Sequence, residues 1–511
     1  MQALEAHRGG SRTEAADQLD KVTTTMRMIA NVKTLPHEPS AIAAVETDSQ
    51  RRCERALDML LTQRGDASAE VERLLADDPG CVFGHCLRAA LIVRAESAAS
   101  RSALTASIAA IEAACPDAGD PVRRHALAAR AWLDGDSAHA VALYGAILID
   151  WPHDVLALAV AHALDFHLGR RRVMRDRIAK VLPHWMAKMP GYASVLAMYA
   201  FALEENGQYR LAEKIARRAL ALDPGHPGAI HVIAHVMEMQ GRVDDGLAFL
   251  AAAESAWGEG TGISVHLAWH RALFHLDAND SEGALAIYDA QIAVLGRADK
   301  AALADGSALL WRLQLQDIDV SERWRLLADR WAMNNLEDAR PFYVVHAMMA
   351  FVAAGRYGAA MRLAEALPST HGNEASSLPP EDALAAPLCE GLLAFARNEY
   401  AACVEWLKRV RHIAHRCGGS LAQCDVIHLT LTEAALRARQ ARFACALVAE
   451  RTARKPASRL NRLLKQRLGT QPPIGIAYCA SEKIRQVLRV QDQKARVRPT
   501  PQHAKAGGYT R

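Results

Sequence analysis

The sequence predicts an all-α fold, tetratricopeptide-like helix-turn-helix repeats stacked into a right-handed superhelix (an α-solenoid). Three observations predict it. Turn residues recur at Gly135, Gly169, Gly207, Gly241 and Asn279. Their numbers step by 34, 38, 34 and 38, close to the period of a tetratricopeptide unit. The longer steps read as insertions in the connections. The chain is 51% apolar but only 5% aromatic, and alanine, the best helix former, dominates the apolar set. β-branched residues come only in short runs, so nothing supports a sheet. A pair of short helices cannot bury its apolar face alone, so it must stack on neighbours, and stacking generates a concave surface.

In chain order, residues 49–75 and 82–98 read as helices flanking Asp77-Asp78-Pro79-Gly80, a helix stop and turn. A helix over 102–115 closes at Pro116. The clear repeats then place helices at 122–133 and 137–150, at 154–168, at 192–205 and 209–222, at 228–240 and 243–256, and at 264–278. The unit ending at Pro224 fits the repeat best. With Gly207 as its position 15, small residues Ala200, Ala212 and Ala219 fall where helices cross, and Pro224 falls where the second helix must stop. Gly355 with Tyr357 and Ala360 marks a later unit, and Gly391, Asn398, Tyr400 and Cys403 another. His371 to Ala385 reads as a loop, and helices 421–438 and 441–453 close the array before Pro456.

The domain division that follows is a poorly ordered segment at 1–48, the solenoid at 49–470, and a basic tail at 471–511. The tail carries eight Lys or Arg after residue 482 and reads as a solvated, disordered terminus. A net charge of +4 over 511 residues gives no reason to expect nucleic acid as a partner. No apolar stretch reaches membrane-span length, and the N-terminus lacks the apolar core of a secretory signal. Ten scattered cysteines include no Cys-x-x-Cys pair, so a reducing, cytoplasmic setting is expected.

Several segments together resemble the tetratricopeptide repeat protein 38 family. They are Tyr199-Ala-Phe-Ala-Leu-Glu-Glu-Asn-Gly207, His231-Val-Ile-Ala-His-Val-Met-Glu-Met-Gln-Gly241, His266-Leu-Ala-Trp-His-Arg-Ala-Leu-Phe-His275, His346-Ala-Met-Met-Ala-Phe351 and Gly418-Gly-Ser-Leu-Ala-Gln-Cys-Asp425. The last departs from the family pattern, with Leu421 where relatives carry histidine and Cys424 where they carry arginine. The resemblance spans about residues 50–465. It implies a helical repeat fold and a soluble protein, and little about a reaction.

Eleven of the 21 histidines lie between His139 and His275. In this repeat class the first helix of each unit lines the groove, and the register puts Glu204, Glu205, His231, His235, Glu238, His266 and Trp269 on that lining. Residues four apart share a helix face, so His231, His235 and Glu238 form one stripe, and His266 with His270 a second on the next unit. His125 falls at a lining position of an earlier unit. His162, Asp165, His167 and His346 read as structural, and Ser420 with Gln423 as a capping box.

Three readings stay open for the stripe. Paired imidazoles at i, i+4 can chelate zinc or iron, with His231, His235, His266 and His270 as ligands, although His-Val-Ile-Ala-His lacks the glutamate of a zincin. The same groups can line a pocket for a small molecule or a peptide or protein segment, with Glu205, Glu238 and His235 as candidate acid and base. Or they form a structural network that fixes the register between repeats. The function expected is a repeat protein that binds a small molecule or peptide in a His/Glu-lined groove. The alternatives are a metal-dependent or acid/base enzyme at the same cluster, and a passive protein-protein scaffold. No Walker loop, dinucleotide fingerprint or nucleophile elbow is present.

Overall fold

The computed structural model describes residues 48–95, 100–117, 120–258, 260–293, 299–336, 339–367 and 384–469. The expected disordered segment, apart from Asp48, and the basic tail lie outside the described residues, as does most of the loop expected at 371–385. Residue 385 itself already belongs to a helix.

Helices follow one another in pairs. The first half holds α1 (Asp48–Thr62), α2 (Ala67–Asp77), α3 (Val82–Ala95), α4 (Arg101–Ala114), α5 (Pro121–Leu133), α6 (Ser137–Asp150), α7 (Val155–His167), α8 (Arg171–Val181), α9 (Tyr192–Glu204), α10 (Tyr209–Leu222), α11 (Pro227–Gln240) and α12 (Val243–Ala252). After a single turn, α13 (Glu254–Trp257), come α14 (Ser264–Asp277), α15 (Ser281–Ile287), α16 (Lys300–Leu315), α17 (Ser321–Ala332), α18 (Pro341–Ala353), α19 (Tyr357–Glu365), α20 (Ala385–Ala396), α21 (Tyr400–Val410), α22 (Leu421–Arg437), α23 (Ala441–Arg454) and α24 (Arg459–Gly469). The first helix of each unit packs on that of the next through α9, α11, α14, α16, α18 and α20. The result is an α-solenoid.

Each expected turn residue takes the left-handed conformation that a tight helix-to-helix turn needs: Gly135, Gly169, Gly207, Gly241 and Asn279 have φ of 90°, 64°, 74°, 68° and 64°. Two turns correct the sequence reading. The helix expected over 49–75 breaks at Gln63 and Gly65, with φ of 58° and 77°, giving the first unit. A further unit, absent from the sequence reading, turns at Asp317, with φ of 59°, midway along the chain between Asn279 and Gly355. A third correction concerns the end of the array: α24 follows Pro456, where the sequence predicts closure.

Apolar packing forms two clusters, one from Cys53 to Ala229 and one from Ala200 to Leu464. They meet at α9 to α11, where Tyr199, Phe201, Ile215 and Leu220 pack against both.

The last helices do not simply extend the array. α22 packs across onto α16, and α24 onto α14. The Trp311 indole donates to Thr430 Oγ1 at 2.9 Å, Arg312 donates to the Ala422 carbonyl at 2.7 Å, and Ser458 Oγ donates to Asp277 at 2.6 Å. The C-terminal helices therefore fold back over the first helices of the middle units, and the concave face is lined on its far side by the chain itself.

Candidate functional site

α11 and α14 carry the imidazoles. α11 starts cleanly because Pro227 occupies its first turn and the His226 ring accepts from the Ala229 N–H. It ends at Gly241, whose αL conformation closes the helix. One helical turn separates His231 from His235, and one separates His266 from His270. Stacking α11 on α14 then brings all four rings together. Centroids stand 4.4 Å apart for His231 and His235, 4.8 Å for His231 and His266, 4.3 Å for His235 and His270, and 4.7 Å for His266 and His270. One nitrogen from each ring lies within 4.8 Å of the others. His235 and His270 are fully buried.

The outer nitrogens of two rings are pinned by carboxylates. His266 Nδ1 lies 2.7 Å from Asp305, and His270 Nδ1 lies 3.0 Å from Glu238. Glu238 is held in turn by Lys455 Nζ at 2.7 Å, and Asp305 accepts from the Gln423 amide at 2.9 Å. The Trp269 indole stacks on His266 at 5.3 Å. The inner nitrogens have no such partner. His231 Nε2, both nitrogens of His235 and His270 Nε2 are buried without a hydrogen bond, as are both oxygens of Glu204. Glu204 lies 3.2 Å from His235 Nδ1, but the groups are not aligned to hydrogen-bond.

Burial sets the charge states. Burial and the neighbouring Glu238 push the Glu204 carboxyl up to about 8, and burial and Glu204 push Glu205 up to about 7. Burial takes His235 down to about 4, and it holds His231 and His270 well below the ordinary imidazole range. A neutral imidazole is the form that binds metals.

The expected lining residues divide accordingly. His231, His235, His266 and His270 converge on one point, while Glu204 and Glu205 meet only His235 of the four, in a second acidic group beside it. Glu205 also accepts from Arg171 at 2.7 Å and from the Leu421 N–H at 3.0 Å, and Glu238 serves Lys455 and His270. His125 stands apart, 2.8 Å from Asp154. His346 is a core histidine whose Nδ1 donates to the Phe342 carbonyl at 2.7 Å, and Ser420 with Gln423 makes the reciprocal capping box. Sequence reasoning misses Asp305, Arg171, Gln423 and Lys455 as site residues: the first two sit singly on neighbouring units, and the last two belong to the returning C-terminal segment, which only the folded chain brings near.

Residues 203–256 match the family described as Tetratricopeptide repeat. That stretch carries a tetratricopeptide repeat, and the fold around it is a tetratricopeptide-like α-solenoid. Two solved structures are similar at low identity. One is the crystal structure of the APC/C hetero-tetramer Cut9–Hcn1, with 12% identity over 82% of this chain and 70% of that one and a TM-score of 0.42. The other is the human IFIT1 dimer with PPP-AAAA, with 13% identity over 83% of this chain and 95% of that one and a TM-score of 0.35. Tetratricopeptide arrays are protein-binding scaffolds, and among the described residues no helix of this one is long and apolar enough to cross a membrane.

Proposed function

We propose that this solenoid holds one transition-metal ion, zinc or iron, between α11 and α14. His231, His235, His266 and His270 are the ligands, and Glu204 is an adjacent carboxylate. One observation carries this reading: buried, unpartnered imidazole nitrogens face one another while the outer nitrogens of His266 and His270 are bonded to carboxylates. Orphaned buried polar atoms are costly in a folded core. A carboxylate on the far ring nitrogen is the usual support for a metal-binding histidine. In a regular tetrahedral zinc shell the ligand atoms stand about 3.4 Å apart, so modest side-chain rotation closes the four.

The carboxylates offered as acid or base are already committed, Glu205 to Arg171 and Leu421, and Glu238 to Lys455 and His270. That favours a bound metal over metal-free acid/base chemistry. The chain's own C-terminal helices cover the concave face here, which favours a small occupant over a peptide. The resemblance to the tetratricopeptide repeat protein 38 family belongs to the same reading, because two of its motifs supply the four imidazoles. So does a cytoplasmic, reducing location, in keeping with the buried free thiols.

The test is the metal content of the full chain purified from zinc- and iron-supplemented medium. The expected result is one ion per chain, lost in a His231→Ala/His235→Ala double variant. Cobalt(II) added to chelated protein should give the absorption of a low-symmetry imidazole site. Metal-free protein that also takes up no cobalt overturns the proposal. If the double variant does not fold, His235→Gln, which keeps the volume, gives the same readout.

A further inference from the structure

Beyond the imidazole cluster, a cavity of about 200 Å³ lies between the array and its returning C-terminal helices. By volume it has room for roughly six waters. Arg171, Arg411, Arg451, Arg454 and Lys455 line it, with Asp425 as its one carboxylate. A smaller space of about 50 Å³ shares Asp425, Arg451 and Lys455 and adds Arg312 together with Glu238 and Asp277, the latter bonded to Ser458 and the Leu460 N–H. Four carboxylates answer these six cations. Asp425 pairs with Arg451 at 2.6 Å, Glu450 with Arg411 at 2.7 Å and more loosely with Arg454 at 3.9 Å, Glu205 with Arg171 at 2.7 Å, and Glu238 with Lys455 at 2.7 Å. Arg312 is buried, donates to the Ala308 and Ala422 carbonyls, and has no ion pair among the described residues. Cations therefore outnumber the carboxylates bonded to them.

The His428 ring faces the same cavity. Burial and the Arg454, Arg451 and Arg411 charges hold it down to about 4, even with Asp425 nearby. A chamber whose wall carries an excess of one sign of charge concentrates counter-ions of the other sign, and guanidinium forks match the oxygens of phosphates and carboxylates.

We infer that this chamber binds a small dianion, in which phosphate or carboxylate oxygens are read by Arg411, Arg454 and His428 while Arg171, Arg451 and Lys455 set the positive wall. The inference stands apart from the metal reading. Protein carrying His231→Ala/His235→Ala should keep the anion, and protein carrying Arg411→Gln should keep the metal.

The experiment is calorimetric titration of the full chain with inorganic phosphate and, separately, with succinate. The stronger of the two identifies the oxygen geometry. Saturable binding is expected for at least one, weakened tenfold or more in Arg411→Gln and in His428→Gln, both checked for unchanged helical content. Thermal unfolding gives a readout free of substitutions: the bound anion should raise Tm above a chloride control of equal ionic strength. Absence of binding by both anions, or binding that survives both substitutions, overturns the inference.

Discussion

Asp305 and Glu238 show what single residues contribute around the imidazoles. Each fixes one ring by accepting from its Nδ1, at 2.7 Å on His266 and 3.0 Å on His270, which leaves the opposite nitrogen aimed inward. Removing such a partner usually weakens metal binding about 10- to 100-fold. Asp305→Asn and Glu238→Gln should therefore each lower affinity by that factor in a chelator competition while leaving the ion bound at saturation. Unchanged affinity in both would show that the rings are positioned by packing alone. The imidazoles were legible in the sequence because an i, i+4 spacing is a local signal, and two such pairs on successive units point to the same face. Their supports were not legible. Asp305 lies 39 residues beyond His266, and Lys455 lies 217 beyond Glu238. Asp305 is one unit on, where a single carboxylate carries no local signal, and no periodicity links Lys455 to Glu238.

Helix termini and turns set the geometry of each element, and two of them are open to test. His226 caps α11, accepting from the Ala229 N–H at Nδ1 at 3.3 Å and meeting Ser194 Oγ at 2.9 Å through Nε2. Burial lowers it to about 4, below the roughly 6.5 of a free imidazole. The unfolded chain thus binds more protons than the folded one between these values. The contribution is complete above pH 6.5 and is lost as the pH falls towards 4, by roughly 3 kcal/mol at most. His226→Asn keeps a capping oxygen that does not titrate. Its Tm should lie below wild type at pH 7 and approach it towards pH 4, and a pH-independent gap would refute the cap's titration.

Gly241 is tighter. Its φ is 68°, and a Cβ there would stand 2.9 Å from Ala457. Gly241→Ala combines a left-handed backbone with a clash against the returning segment, so a loss of roughly 1–3 kcal/mol in chemical denaturation is expected. The glycine turns were readable for the same reason, since glycine is the default residue at positive φ. Asp317 and Gln63 adopt that conformation without being glycine, and the two turns built on them stayed hidden in the sequence.

The whole molecule departs from a simple solenoid, in which each repeat contacts only its neighbours and stability is a sum of local terms. Here Arg171 reaches Gly419, Leu421 donates to Glu205, Lys455 holds Glu238, and Ser458 and Leu460 hold Asp277. These links tie units that are remote from one another along the chain, so opening the C-terminal helices must also loosen the middle units. Lys455 is the sharpest probe. Its ammonium and the Glu238 carboxylate are 14% and 9% exposed, and removing one member of a buried pair leaves a charge stranded, at a cost of roughly 3 kcal/mol or more. In Lys455→Met, hydrogen exchange should accelerate in α22 and α23 and, to a similar degree, in α11 and α14. α1 to α6, which belong to the other apolar cluster, should exchange as before. If the faster exchange stayed within α22 to α24, the repeats would be independent and the packing of the C-terminal helices on the middle units only a contact. If it reached α11 and α14, the imidazole site would be coupled to the segment that covers it.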